Sequence, residues 1–177
     1  TDSTIAGNSA DFGGGIHNSG TLTVSHSTLS GNSTSDGGGG ISNTHSGTLN
    51  VTNSIFAGNS TGSSGGGIRN SGALTIANST FSGNSAASGG GILSDGTLTV
   101  HNSIVFLNPG RGIEGDYQGS RNLVNVDPGF VLTPSAGADG QWGTADDDLG
   151  DLRLTGRSPA INLGNNALAV DAAGNPL

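Results

Sequence analysis

The chain has no cysteine, no methionine and no lysine. Without cysteine there is no thiol catalysis, no disulfide scaffold and no zinc finger. The only cations are Arg69, Arg111, Arg121, Arg153 and Arg157, against 13 acidic residues, for a formal net charge of −8. That balance, with no basic run, argues against a nucleic-acid partner. No apolar stretch approaches the ~18 residues of a membrane helix, so no transmembrane segment is read. No secretory signal is visible, and Thr1 already sits inside a repeat, so an export signal is expected upstream.

Gly, Ser, Asn and Thr fill more than half of the 177 positions, with 34 Gly alone. All four are poor helix formers, which excludes a helical bundle. Length suggests one domain. A disordered chain usually combines low hydrophobicity with high charge. Here only 10% of residues are charged, and the apolar ones recur in register.

Four segments stack on one another: STIAGNSADFGGGIHNSGTLTV from residue 3, STLSGNSTSDGGGGISNTHSGTLNV from 27, SIFAGNSTGSSGGGIRNSGALTI from 54 and STFSGNSAASGGGILSDGTLTV from 79. A degraded fifth begins at Ser103. Successive Asn positions, Asn8, Asn32, Asn59, Asn84 and Asn108, step by 24 to 27 residues. A fixed period of this size marks a solenoid, in which each repeat buries its face against its neighbours.

Each repeat holds three apolar segments. The first gives Ile5, Leu29, Phe56, Phe81 and Val105; the second gives Ile16, Ile41, Ile68 and Ile92. The third alternates: Leu22 and Val24, Leu49 and Val51, Leu74 and Ile76, Leu98 and Val100. Period-two alternation puts these inward and the flanking Thr outward. Three segments separated by Gly and Asn turns predict an all-β fold, a single right-handed parallel β-helix with three short strands per coil. Regular coils are expected over 1–126. Irregular coils carrying an acidic Gly-rich loop are expected over 127–177 in the same domain.

Like residues in stacked parallel strands lie ~4.8 Å apart, so aligned Asn side chains can bond in ladders. The Asn8 column is one structural ladder. A second runs through Asp2, His26, Asn53, Asn78 and Asn102. Both are assigned to turns, where Asn tolerates left-handed angles. The glycine triplets predict a bend needing positive φ or close backbone approach.

These residues resemble the β-helix repeats of polymorphic outer-membrane proteins and related bacterial surface proteins, which carry GGA-[ILV] and F-x-x-N motifs. Here the first reads GGGI, at Gly14-Gly15-Ile16, Gly39-Gly40-Ile41, Gly66-Gly67-Ile68 and Gly90-Gly91-Ile92, with Gly in place of Ala. The second is intact at Phe56–Asn59 and Phe81–Asn84, with Ile5 and Leu29 replacing Phe in the first two coils. The resemblance covers residues 1–113. The pieces NLVNVDPGF (122–130), DGQWGTADDDLGDLRL (139–154), SPAIN (158–162) and DAAGNPL (171–177) resemble the C-terminal part of secreted β-helix proteins of environmental bacteria, which usually continue to a capping strand. Both ends therefore read as open, either as a fragment of a longer surface protein or as a subunit stacking on itself head to tail.

Asp139, Asp146, Asp147, Asp148 and Asp151 cluster among Gly140, Gly143 and Gly150. Calcium takes six to eight oxygens from flexible loops of this kind, so these five are the candidate calcium ligands. The spacing does not match an EF-hand, and the alternative is a solvated acidic loop. Trp142, the only Trp, is expected to pack its loop onto the helix end. His17, His26, His45 and His101 read as turn or surface residues. Many β-helix proteins cleave polysaccharides, but in residues 3–108 the only acids are Asp11, Asp36 and Asp95 and the only Arg is Arg69. No catalytic residue is assigned. Thr21, Thr23, Thr48, Thr75, Thr97 and Thr99 form an outward stripe that can order water, although Thr also fills exposed strand positions on propensity alone. The sequons at Asn32, Asn59 and Asn78 read as products of the repeat.

The resemblance implies a secreted or cell-surface module, non-catalytic, with a structural, adhesive or carbohydrate-contacting role. Its partners would be glycans or cell-surface components, or further copies of itself. The alternatives are a domain of a polysaccharide lyase or glycoside hydrolase, a filament subunit, and an ice-binding surface.

Overall fold

A computed structural model describes residues 1–142, 144–161 and 163. Asn162 of the SPAIN segment and the DAAGNPL segment at 171–177 lie outside the described residues, as does Gly143 of the acidic loop. Every regular element among the described residues is a strand. No helix is long and apolar enough to cross a membrane.

The apolar columns build three parallel sheets. The first holds Thr4–Ala6, Thr28–Ser30, Ile55–Ala57, Thr80–Ser82, Ile104–Phe106 and Leu123–Val124. The second holds Ile16–Asn18, Ile41–Asn43, Ile68–Asn70, Ile92–Ser94 and Ile113–Glu114. The third holds the five-residue strands Thr21–Ser25, Thr48–Thr52, Ala73–Ala77 and Thr97–His101, and then Gln118–Ser120. Register follows the repeat: Leu29 pairs Phe56, Phe56 pairs Phe81 and Phe81 pairs Val105. A further ladder of two-residue strands, Ser9–Ala10, Ser33–Thr34 and Ser60–Thr61, lies at the corner after the first sheet.

One continuous core results. Leu29, Ile41, Phe56, Ile68, Phe81, Ile92, Val100 and Val105 are fully buried. In the third sheet the burial alternates as the sequence pattern requires, with Leu74 and Ile76 in and Ala73 and Thr75 out. Phe56 and Phe81 stack face to face at 4.6 Å between centroids.

The glycine triplet has two jobs, visible at Gly38–Gly40. Gly38 takes φ +72°, a left-handed angle that admits Gly freely. Gly39 and Gly40 face the next coil so closely that a Cβ would meet the carbonyl oxygens of Gly66 and Gly67 at 2.4 and 2.6 Å.

Polar ladders run beside the apolar core. Asn32, Asn59 and Asn84 have no exposed surface. Each Nδ2 donates to Oδ1 of the next coil's Asn at 2.9 Å, and that same Oδ1 accepts the backbone N–H of the previous coil's Asn. The second amide hydrogen goes to a carbonyl one coil back, Asn32 to Ile5 and Asn59 to Leu29. With every donor and acceptor used, burial of these amides costs little. This column is not left-handed, as the sequence had suggested. The positive φ falls on the preceding residue: Gly7, Gly31, Gly58, Gly83 and Leu107. The other column does take left-handed angles, from 49° to 51° at Asp2, His26, Asn53, Asn78 and Asn102.

The described residues after 126 leave the stack. Phe130–Leu132 pairs antiparallel with Asp151–Leu154, so this part is a hairpin and not a further parallel coil. It lies along the outer side of the first sheet as a strap. Phe130 meets Phe106 at 6.4 Å between centroids, and Arg121 Nη1 donates to Leu163 O at 3.1 Å. The outward residues there turn apolar along the stack: Thr28, Ile55, Thr80, Ile104 in one column, Ser30, Ala57, Ser82, Phe106 in the next. Burying Ile55, Ile104 and Phe106 needs a cover, and the strap supplies it.

Candidate functional site

The third sheet presents the predicted Thr face. Thr21, Thr48, Ala73 and Thr97 align in one outward column, and Thr23, Asn50, Thr75, Thr99 and Gln118 in the next. The structure thus brings all six Thr of the stripe onto one surface without a register shift. None of the described residues in these two columns is charged. A ladder that the sequence reading missed holds this face in place. Asn18 Nδ2 donates to Asn43 Oδ1 and Asn43 Nδ2 to Asn70 Oδ1, both at 2.7 Å, and Asn70 Nδ2 to Ser94 Oγ at 2.9 Å. The same amides donate to the carbonyls of Thr48, Ala73 and Thr97, the first residue of each following third strand. The signal was present as the Asn two residues after each GGGI isoleucine, replaced by Ser94 in the fourth coil. A serine ladder was also missed: the N–H groups of Ser27, Ser54 and Ser79 each donate to the next coil's Ser Oγ at 3.2 Å.

The second sheet carries His17, Ser42, Arg69, Leu93 and Glu114 in one outward column. Arg69 is tied on both sides, to Ser64 Oγ at 2.5 Å and to Asp95 Oδ2 at 3.4 Å. Glu114 accepts from Ser88 Oγ at 2.6 Å. Asp11 and Asp36 are neighbours in adjacent coils, joined by Asp36 N–H to Asp11 O at 3.2 Å. Each charged group here has a structural partner or stands at an exposed corner. His26 lies 3.2 Å from the Asn53 amide, and His101 Nδ1 accepts from Ser120 N–H at 3.2 Å. Asn32 and Asn59 are sealed in the core, so their sequons are closed to modification in the folded chain.

The acidic loop uses its carboxylates to shape itself. Asp146 Oδ2 accepts from Ala138 N–H at 2.7 Å and Asp139 N–H at 3.3 Å, while its Oδ1 accepts from Thr144 Oγ1 at 2.8 Å. Asp139 caps Gln141 N–H, Asp147 accepts from Thr144 N–H and Asp148 from Gly150 N–H. Asp151 forms a forked pair with Arg153, at 2.9 Å to Nε and 2.5 Å to Nη2. The hydrogen bond from the Arg153 side chain is the main reason the Asp151 carboxyl is held down at about 2. Asp146 is also lowered, chiefly by the Thr144 hydroxyl and then by Ala138 N–H. Among the described residues no three His, Asp or Glu side chains gather where they could hold a metal ion. Of the five candidate residues, Asp139, Asp146, Asp147 and Asp148 lie in the loop and Asp151 opens the strand that follows it.

Trp142 does not sit on the end of the helix. Its ring lies over Gly83 on the flank, so close that a Cβ there would meet Cζ3 at 2.6 Å. Leu149 fills the same notch one coil back, 2.9 Å from a Cβ at Gly58. The left-handed glycines of this turn column therefore form seats for the strap's two large apolar side chains. Among the described residues, two clefts lie beside these seats. One, of about 450 Å³, is lined by Thr28, Ile55, Thr80, Leu149, Asp151 and Leu152 among others. The other, of about 250 Å³, is lined by Phe106, Leu107, Asn108, Pro109, Asn125 and Trp142.

Three stacked parallel sheets with continuous amide ladders define the chain as a parallel β-helix repeat protein. It resembles the polymorphic membrane protein repeats: a family model described as the Chlamydia polymorphic membrane protein repeat matches residues 78–95. That stretch contains both motifs, Phe81–Asn84 and Gly90-Gly91-Ile92. No curated protein and no solved structure matches the chain.

Proposed function

We propose that the chain is a surface- or outer-membrane-associated β-helix module that contacts carbohydrate or other cell-surface components without catalysis. One observation carries this reading. The longest strands of the molecule present an uncharged, hydroxyl-rich face whose register is locked from inside by the Asn18–Asn43–Asn70 ladder. A rigid grid of hydroxyl and amide groups suits an extended neutral partner, because the grid is ordered before binding and loses little freedom on contact. The matched repeat family, a membrane protein repeat by its description, supports placement at the cell surface.

The test is retention of the purified chain on a glycan array and on insoluble polysaccharides. Retention is expected, and it should weaken when Thr23, Thr75 and Thr99 are replaced together by Lys. These outward positions leave the core intact. Parallel incubation with uronate polymers should release no new reducing or unsaturated ends. Release of such ends would move the chain to the lyase or hydrolase class.

A further inference from the structure

The cleft beside Trp142 has chemistry that the scaffold does not use. Trp142 is the chain's only indole, and together with Phe106 and Pro109 it gives the cleft apolar walls. At the rim stands Asn125, exposed, held at φ +57° by a backbone bond from its N–H to Val105 O at 2.9 Å. The Asn125 side-chain amide makes no hydrogen bond to the described residues. That contrasts with Asn108 in the same cleft, whose Nδ2 is spent on the carbonyls of Phe81 and Phe106 and whose Oδ1 accepts from Asn84. The Asn84 column therefore ends at Asn108, and Asn125 lines the cleft with its Oδ1 turned onto Gly112, 2.7 Å from where a Cβ there would stand.

We propose that this cleft binds a single neutral pyranose unit, with the ring's C–H face on the Trp142 and Phe106 walls and its hydroxyls on the Asn125 amide. This rests on the carbohydrate-contacting reading above and names its site. Three features select the ligand class. Among the described residues no cation lines the cleft, so a uronate or phosphate gains nothing from them, and the chain's charge of −8 opposes it. No carboxylate among the described residues lines it, so a cationic ligand finds no partner in them. A volume of about 250 Å³ falls below the ~300–1,000 Å³ of drug-sized pockets, which limits the occupant to one ring. Apolar walls with one convergent amide fit a molecule that is apolar on its face and hydroxylated at its edge. One ring held by one amide binds weakly, with Kd on the order of 10⁻³ M.

The lone indole makes the test direct. The whole chain is titrated with methyl glycosides of glucose, galactose and N-acetylglucosamine, and with glucuronate, while Trp142 emission is followed. A saturable change is expected for at least one neutral glycoside in the millimolar range, with glucuronate at least tenfold weaker. Asn125→Gly keeps the left-handed angle and removes only the amide. It should keep the melting temperature and the free emission spectrum but weaken the neutral glycoside at least fivefold. Emission that stays flat or changes only linearly for every sugar overturns the proposal, as does an unchanged Kd in Asn125→Gly. If emission stays flat while the chain is still retained on the glycan array, the cleft assignment fails and the broader reading stands. If both fail, the carbohydrate reading fails with it.

Discussion

Asn84 reaches back 28 residues to donate its Nδ2 to the carbonyl of Phe56 at 2.9 Å. Phe56 is the aromatic of one F-x-x-N motif, and Asn84 is the asparagine of the next. The relation repeats one coil on, where Asn108 donates to Phe81 O at 2.9 Å. The motif thus records two contacts made across coils. The ring stacks on the neighbouring coil's ring, and the amide closes the neighbouring coil's backbone. This is why the two residues keep their spacing when the loop lengths around them change.

Asn84→Ala should be among the costlier single changes. It removes the acceptor of Asn59 Nδ2 and of Asn59 N–H, and the donor to Phe56 O, all in the core. At ~1–3 kcal/mol for each buried group left unsatisfied, and with partial relaxation, the loss is about 4 kcal/mol. Thermal melting followed by circular dichroism should show a fall of roughly 8–16 °C. A fall of a degree or two would mean that the ladder decorates the core without supporting it.

Phe81→Ala should cost about 3–5 kcal/mol, since it opens a cavity in a fully buried column and ends the stack with Phe56. Phe81→Leu should cost much less, about 1 kcal/mol, because Leu29 already occupies this rung two coils earlier. Denaturant melts of the two variants would check the ratio. Equal losses would contradict the column model.

Glycines should divide sharply by position. Gly90→Ala would place Cβ 2.1 Å from Pro109 O, between coils that cannot part, and should prevent folding or leave an aggregated product. Gly62→Ala meets nothing within 4 Å and needs no left-handed angle. It should be neutral or stabilise by roughly 0.4–1 kcal/mol through the unfolded chain. Soluble yield and melting temperature of the pair decide the matter.

Acid should loosen the strap before the coils. Asp151 is held at about 2 by Arg153, below the ordinary carboxyl value of 3.8, and Asp146 is lowered by Thr144 and Ala138. A depressed carboxyl stabilises the folded form fully above the unfolded value and loses that contribution as pH falls through the folded one. The window is therefore pH 4 down to about 2. Trp142 emission should change across it while the far-ultraviolet spectrum of the coils holds. Asp151→Asn should flatten part of the transition.

Much of this fold was legible because a repeat writes each contact several times. Alternation at Leu74 and Ile76 fixed the inward face, and the common Asn column predicted the Asn84 ladder. The Asn18–Asn43–Asn70 ladder was equally written but went unread, since an Asn between an Ile and a turn has no hydrophobic pattern to mark it. The left-handed residue was misplaced by one, because Gly and Asn both tolerate that angle and only geometry separates Gly58 from Asn59. The strap was not legible. Its contacts, Trp142 to Gly83 and Leu149 to Gly58, are made once each, across about 60 and 90 residues, and no period announces them. Only the presence of large apolar side chains inside an acidic loop hinted that it must dock.

The docking itself can be tested at the seat, leaving the strap sequence unchanged. Gly83 takes φ +66° and lies directly beneath the Trp142 ring, so Gly83→Ala strains one turn and lifts the indole by contact at 2.6 Å. Gly31 takes nearly the same angle, φ +59°, in the same column but has nothing within 4 Å of a Cβ. The two substitutions therefore carry similar backbone strain, roughly 1–2 kcal/mol, and differ only in whether a strap side chain sits above. Both should lower the melting temperature by a few degrees. Only Gly83→Ala should shift Trp142 emission to the red and open the 133–150 loop to limited proteolysis, because only there does the new methyl compete with the indole for the notch. Matching emission and cleavage in the two variants would mean that Trp142 is held by its own loop and that the glycine column plays no part in seating the strap.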